Sequence, residues 1–155
     1  MADWNIEELD VFGDKLFELA QKQFPKETKQ FLRKQGNELN KQVKKTAKKR
    51  VGKNGKSQQE KHTNKRYLTG FKHGRVYRHA ASNSYAVRVY NTRPHAHLIE
   101  YGHVQLDKDK KPVKHGEKFV KGRFVLQDTG DAFAPEFETA AETFIDDMLD
   151  KGLGL

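Results

Sequence analysis

The stretch from Lys41 to Arg66 carries eleven lysines and arginines against one acid, Glu60, and its only large apolar residues are Val43 and Val51. Like charge at this density cannot be buried, because desolvating an unpaired ion is far costlier than any packing gain. The opposite extreme runs from Phe124 to Asp150, with eight acids and no Lys or Arg. A chain with one strongly positive and one strongly negative segment can attract a copy of itself head to tail, or two different partners.

Other bounds follow from length and composition. The chain has 155 residues, 35% of them apolar and 33% charged, and a net charge of +9. That length supports one core, so a single domain over residues 1–155 is expected. No cysteine is present, which excludes a disulfide scaffold, a thiolate zinc site, a thiol nucleophile and an iron–sulfur cluster. No apolar run reaches the roughly 18 residues that a membrane helix needs. Met1 to Glu8 is acidic and lacks an apolar stretch, so no secretory leader is expected and synthesis and assembly are assigned to a cytoplasm.

Hydrophobic periodicity divides the chain. Ile6, Leu9, Phe12, Leu16 and Leu19 recur at helical spacing, which predicts a first helix over about Asn5–Gln23. Phe24-Pro25 reads as a break, with a second helix starting at the proline. That helix runs to about Arg50 on a thin stripe of Phe31, Leu32, Leu39, Val43 and Ala47, completing a helical region over 1–51. Residues 52–66 contain Gly52, Gly55, Ser57 and Asn64 and read as a basic, mobile loop.

Beyond Tyr67 the period drops to two. Arg75–Ala80 and Tyr85–Tyr90 alternate, with Ser82-Asn83-Ser84 as a hairpin turn between them. His95–Tyr101 reads as a third strand and Phe119–Leu126 as a fourth, bent at Gly122. A long Lys-rich loop, 103–118, separates them. Residues 67–126 are thus expected to form a small antiparallel sheet of about four strands. Asp128-Thr129-Gly130 reads as a turn. A last helix is predicted over 132–151, with Pro135 in its first turn and Phe133, Phe137, Ala140, Ala141, Phe144 and Met148 on its core face. The fold class is α+β: two N-terminal helices, the sheet and one C-terminal helix.

Catalytic patterns are sparse. His95 and His97 would share one face of a strand, which begins a metal site, but no third ligand stands at suitable spacing. No Gly-x-Ser-x-Gly, Walker or Gly-x-Gly-x-x-Gly pattern occurs. Gly52-Lys53-Asn54-Gly55-Lys56 follows a helix rather than a strand and lacks the phosphate-loop spacing. No catalytic, metal or cofactor residue is assigned, and no enzymatic activity is expected. The basic segment is the strongest signal, and Lys44, Lys45, Lys48, Lys49, Arg50, Lys53 and Lys56 are the candidate contacts to a partner or to DNA. No aromatic precedes Tyr67 there, so any nucleic-acid contact is to the phosphate backbone rather than to stacked bases. A small basic nucleic-acid-binding protein is the alternative reading.

Pro94-His95-Ala96-His97-Leu98-Ile99-Glu100-Tyr101-Gly102, preceded by Tyr67-Leu68-Thr69-Gly70 and Tyr85-Ala86-Val87, resembles the hallmark of a tailed-bacteriophage family of tail components. That family includes neck, tail-completion and head–tail joining proteins. The motif residues carried over are Thr69, Gly70, Pro94, His95, His97, Glu100, Tyr101 and Gly102, in structural roles; Gly102 closes its strand with a residue free to take positive φ.

The resemblance implies a non-enzymatic structural protein of a phage or phage-like particle. It would form a ring, six- or twelve-fold, at the neck or head-proximal end of the tail. Expected partners are copies of itself, adjacent neck, connector or tail-tube proteins, and non-specific contact with DNA in the channel. No cofactor and no membrane are implied. The expected location is the virion, after synthesis in the bacterial host cytoplasm.

Overall fold

The computed structural model describes residues 6–52, 58–82, 84–107, 109–112 and 119–153; for residues 6–10 and 12 it describes the backbone alone. The elements are α1 (Ile6–Glu18), a π-turn (Leu19–Gln23), α2 (Phe24–Arg50), α3 (Gln58–Thr69), β1 (Phe71–His73), β2 (Tyr77–His79), β3 (Ser84–Ala86), β4 (Val89–Asn91), α4 (Ala96–Tyr101), β5 (Gly102–Val104), β6 (Phe119–Lys121) and α5 (Val125–Leu153). The class is α+β, with helices first, small antiparallel ribbons in the middle and a long helix last.

The described residues gather in two compact units. One comprises residues 36–74 and 88–133. Its core is Val43 and Ala47 from α2, Tyr67 from α3, Phe71 from β1 and Val125 at the start of α5. Val43 and Ala47 lie one helical turn apart on the thin stripe, flanked by Leu39 and Val51, so four residues at i+4 spacing seat this end of α2. The Tyr67 and Phe71 rings meet edge to face, centroids 4.9 Å apart, a favoured aromatic arrangement. Strand β1 pairs antiparallel with β4, Phe71 opposite Asn91 and His73 opposite Val89. Alternation turns Phe71 inward and leaves Lys72 and Tyr90 exposed. β5 pairs antiparallel with β6.

The other unit comprises residues 1–35, 75–87 and 134–155. Phe31 stacks on Phe144 at 4.6 Å, and Phe24 meets Phe144 edge to face at 6.0 Å. Leu19 and Met148 are buried. Leu19 lies against Gly152, where a Cβ would collide with its side chain at 2.6 Å. β2 and β3 form the hairpin expected from the alternation around Ser82, and Lys29 sits 5.5 Å above the Tyr85 ring.

Several elements differ from their sequence-based expectations, each for a physical reason. Phe24-Pro25 does not break the helix. The turn before it widens to π geometry, the Phe24 amide reaching back to the Leu19 carbonyl, and a wide turn accommodates a proline that has no N–H and would crowd the residue four back. Within the expected loop 52–66, Gln58 onward is helical as α3; its apolar anchor, Tyr67, stands at the far end of the charged run. His95–Tyr101 is no strand: Ala96–Tyr101 forms α4, because Ala96 and Ile99, three apart, pack against the core together. The fourth strand ends at Lys121 and helix α5 begins at Val125, so Asp128-Thr129-Gly130 lies inside the helix and Pro135 is in its interior. The sheet of about four strands is instead three two-stranded ribbons.

Candidate functional site

Glu100 and Gly70 of the hallmark, together with Asn91, Thr92, Arg93 and Arg50, form a clamp on three helix ends. An α-helix leaves its first N–H groups and last carbonyls without partners. At the start of α5 each one is accounted for. Arg123 N–H donates to the Ile99 carbonyl at 2.8 Å and Phe124 N–H to the Glu100 carbonyl at 3.0 Å. Val125 N–H donates to Glu100 Oε2 at 2.9 Å, and Leu126 and Gln127 N–H donate to Oε1 at 2.8 and 3.1 Å. Asp128 N–H then makes the first bond within the helix, to Phe124 O. One buried carboxylate therefore caps α5 from another element, where its charge also faces the positive end of the helix dipole. Thr129 Oγ1 donates back to Val125 O at 2.6 Å.

The end of α3 is closed in the same way. Asn91 Nδ2 donates to Tyr67 O at 2.9 Å, and Arg93 Nε donates to Arg66 O at 3.2 Å. Gly70 N–H donates to Tyr67 O, and its own carbonyl accepts from Thr92 N–H and Thr92 Oγ1. A Cβ at Gly70 would overlap the Asn91 side chain, so the Thr-Gly element is a close approach that admits no side chain. Thr69 Oγ1 bonds back to the Lys65 and Arg66 carbonyls.

The end of α2 is tied by Arg50, whose Nη1 donates to the Arg123 and Phe124 carbonyls at 2.9 and 3.0 Å and to Asp128. Phe124 stands at φ 46°, an uncommon conformation for a bulky residue. It is held there by the Glu100 carbonyl on its N–H, by Arg50 on its own carbonyl, and by Tyr101, whose ring meets the Phe124 ring edge to face at 6.4 Å.

Tyr67 lies beside this clamp. Its hydroxyl is buried and makes no hydrogen bond of standard geometry among the described residues. Burial, and next the negative charge of Glu100, push its pKa well above the ordinary 10, so the phenol is held neutral.

The expected site residues are placed as follows. Glu100 is the centre of the clamp. Gly102 takes φ 86° and ends α4, and a Cβ there would strike the Val120 carbonyl. His95 is the N-cap residue of α4, its Nε2 lying 3.3 Å from Thr63 O. His97 is exposed on the first turn, so the two histidines do not share a strand face, and among the described residues no three His, Asp or Glu side chains converge on a metal position. Pro94 and Tyr101 are exposed. Lys44, Lys45, Lys48 and Lys49 are exposed along α2. Arg50 is instead engaged within the chain. Lys53 and Lys56 lie outside the described residues. Asn91, Arg93, Tyr67 and Asp128 were missed as members of the constellation. A polar Asn-Thr-Arg-Pro run just after a strand was the available signal for the first two.

A polar inventory this fully spent on helix ends can hold a shape. The family model described as "Bacteriophage HK97-gp10, putative tail-component" matches residues 10–102, from within α1 to the Gly102 that closes the hallmark. No curated protein and no solved structure gives a significant match.

Proposed function

The chain belongs to the bacteriophage HK97-gp10 family of tail components, and from that premise we propose that it is a non-enzymatic ring subunit at the neck, the head-proximal end of the tail, which it joins or completes. The observation that carries this reading is the family match across residues 10–102. The clamp supports it on physical grounds. A subunit that bears load between two assemblies needs helices fixed relative to one another at their ends, and Glu100, Asn91, Arg93 and Arg50 supply such ties. The exposed charge supports it too. A cyclic ring requires two different patches on each copy. Lys44, Lys45, Lys48 and Lys49 on α2, and Glu138, Glu142, Asp146 and Asp150 on α5, are exposed rows of opposite sign. The neighbours on this reading are neck, connector or tail-tube proteins in the virion, with DNA passing through the ring.

Electron microscopy of particles made without this gene tests the proposal. Full heads beside separate tails of normal length place the protein at the joint. Tails of abnormal length make it a tail terminator. Intact, infectious particles overturn the neck reading.

A second reading is favoured by one observation: the four α2 lysines form no ion pair among the described residues. They could neutralise phosphates of a duplex. Fluorescence anisotropy of the isolated protein with duplex DNA at two salt concentrations decides it. Steep loss of binding with salt supports it, and no binding at low salt eliminates it.

A further inference from the structure

We propose that the outer face of α3 is a binding site for a chain of phosphate groups, supplied by a nucleic-acid backbone or by a free polyphosphate. The inference shares its ligand class with the second reading above but stands on a different helix. Gln58, Lys61, His62 and Lys65 line a shallow cavity of about 410 Å3. They stand at i, i+3, i+4 and i+7 of α3, so they form one row along one face. All four are exposed. The two lysines supply charge, and Gln58 and His62 add further N–H donors. Lys61 and Lys65 form no ion pair among the described residues. The one acid of the helix, Glu60, stands four and seven residues before the buried Asn64 and Tyr67, which places it on their side and away from the row.

The backbone beneath the row is held in place. Tyr67 anchors α3 in the core, and the Arg66 and Tyr67 carbonyls accept from Arg93 Nε and Asn91 Nδ2 at 3.2 and 2.9 Å. A row fixed before binding loses less freedom when a ligand arrives.

Two observations select phosphate over a protein partner. A protein interface is centred on apolar and aromatic anchors, and none of the large apolar side chains exposed among the described residues comes from α3. A phosphate chain needs no such anchor, because release of its condensed counterions drives binding. The length of the row also fits. Seven residues of helix span about 10 Å, over which a duplex presents about three phosphates on each strand. The row offers no aromatic ring on which a base could stack, so binding is to the backbone and indifferent to sequence.

The test uses Lys61→Gln/Lys65→Gln, which changes two exposed positions; circular dichroism checks its fold. Its affinities for a short DNA duplex and for inorganic tripolyphosphate are compared with those of the wild-type chain. Each phosphate contact adds about 0.9 to the slope of log affinity on log salt, so the double variant is expected to bind the duplex more weakly and with a slope lower by about 1.8. Its loss of affinity between about 50 and 200 mM salt is then about tenfold smaller than that of the wild type. Lys61→Arg/Lys65→Arg, which keeps both charges, is expected to keep the wild-type slope. Duplex binding lost in this way assigns the site to a nucleic-acid backbone. Tripolyphosphate binding alone, lost in the double variant, assigns it to a free polyphosphate.

Two results overturn the proposal: a wild-type chain that binds neither ligand, and a double variant with both affinities unchanged. If the double variant loses self-association by light scattering yet keeps its phosphate affinity, the face belongs to an acidic protein surface and the proposal also falls. Glutamine at Lys44, Lys45, Lys48 and Lys49 tests the α2 reading separately. If only that variant loses duplex binding, the α2 reading stands and the α3 site is wrong; if only the α3 variant loses it, the reverse holds. If deletion of the gene leaves particles infectious, the neck reading falls and the titrations still decide the α3 site.

Discussion

At residue scale, Glu100 is the most consequential side chain. Its carboxylate accepts three backbone N–H groups at the start of α5, and removing a partner from a buried donor costs about 1–3 kcal/mol each. Glu100→Ala is therefore expected to destabilise by roughly 3–5 kcal/mol and Glu100→Gln, which keeps one oxygen, by about 1–3 kcal/mol. Urea midpoints of the two variants check the order; equal losses would mean that the neutral oxygen kept by glutamine contributes nothing. Tyr67 gives a pH-dependent test. Its folded pKa lies above its unfolded value of 10, so the folded state binds a proton that the unfolded state has lost. Stability is then full below pH 10 and falls as pH rises above it. Tyr67→Phe should flatten that fall, and a loss of stability at pH 7 would show that the hydroxyl interacts with the Glu100 carboxylate. Urea titrations at pH 7 and pH 11 measure both effects.

At element scale, the two N-terminal helices, the hairpin and the C-terminal helix were legible in the sequence, whereas α3, α4 and the start of α5 were not. The stripe Leu39, Val43 and Ala47 placed α2 because its period is local. The β2–β3 hairpin was legible from alternation on either side of a serine-rich turn. The start of α5 was not, because its cap residue, Glu100, stands 25 positions earlier than Val125 and no local pattern encodes it. The same holds for α4, whose Ala96 and Ile99 are helical by virtue of a core contributed by other segments. The hallmark residues were found by their resemblance alone; the work of Glu100 and Gly70 in closing helix ends appears only in the fold. The early start of α5 also relocates Pro135 from a first turn to an interior position, where proline removes one hydrogen bond and costs about 3 kcal/mol. Pro135→Ala is therefore expected to raise stability by about 1–3 kcal/mol, or roughly 2–4 °C in melting temperature for each kcal/mol. A lower melting temperature would show that the fold uses the bend this proline favours.

At the scale of the whole molecule, the proposed ring predicts that charge and apolar contact make separable contributions to assembly. Opposite charges on two copies act at a distance: they steer encounter and raise the association rate, while fully desolvated apolar contacts govern how slowly a complex separates. The Debye length falls from about 10 Å at 0.1 M salt to about 3 Å at 1 M, which removes steering and leaves apolar burial intact. Raising salt from 0.1 to 1 M is therefore expected to slow association of the wild-type chain by about tenfold or more while changing dissociation by less than about threefold. Replacing Lys44, Lys45, Lys48 and Lys49 by glutamine should reproduce the slow association at 0.1 M salt and abolish its salt dependence. Stopped-flow light scattering after mixing, and dilution for the reverse rate, give the two constants. If salt accelerates dissociation as strongly as it slows association, charge pairs rather than apolar contacts hold the copies together, and the four lysines become the interface itself.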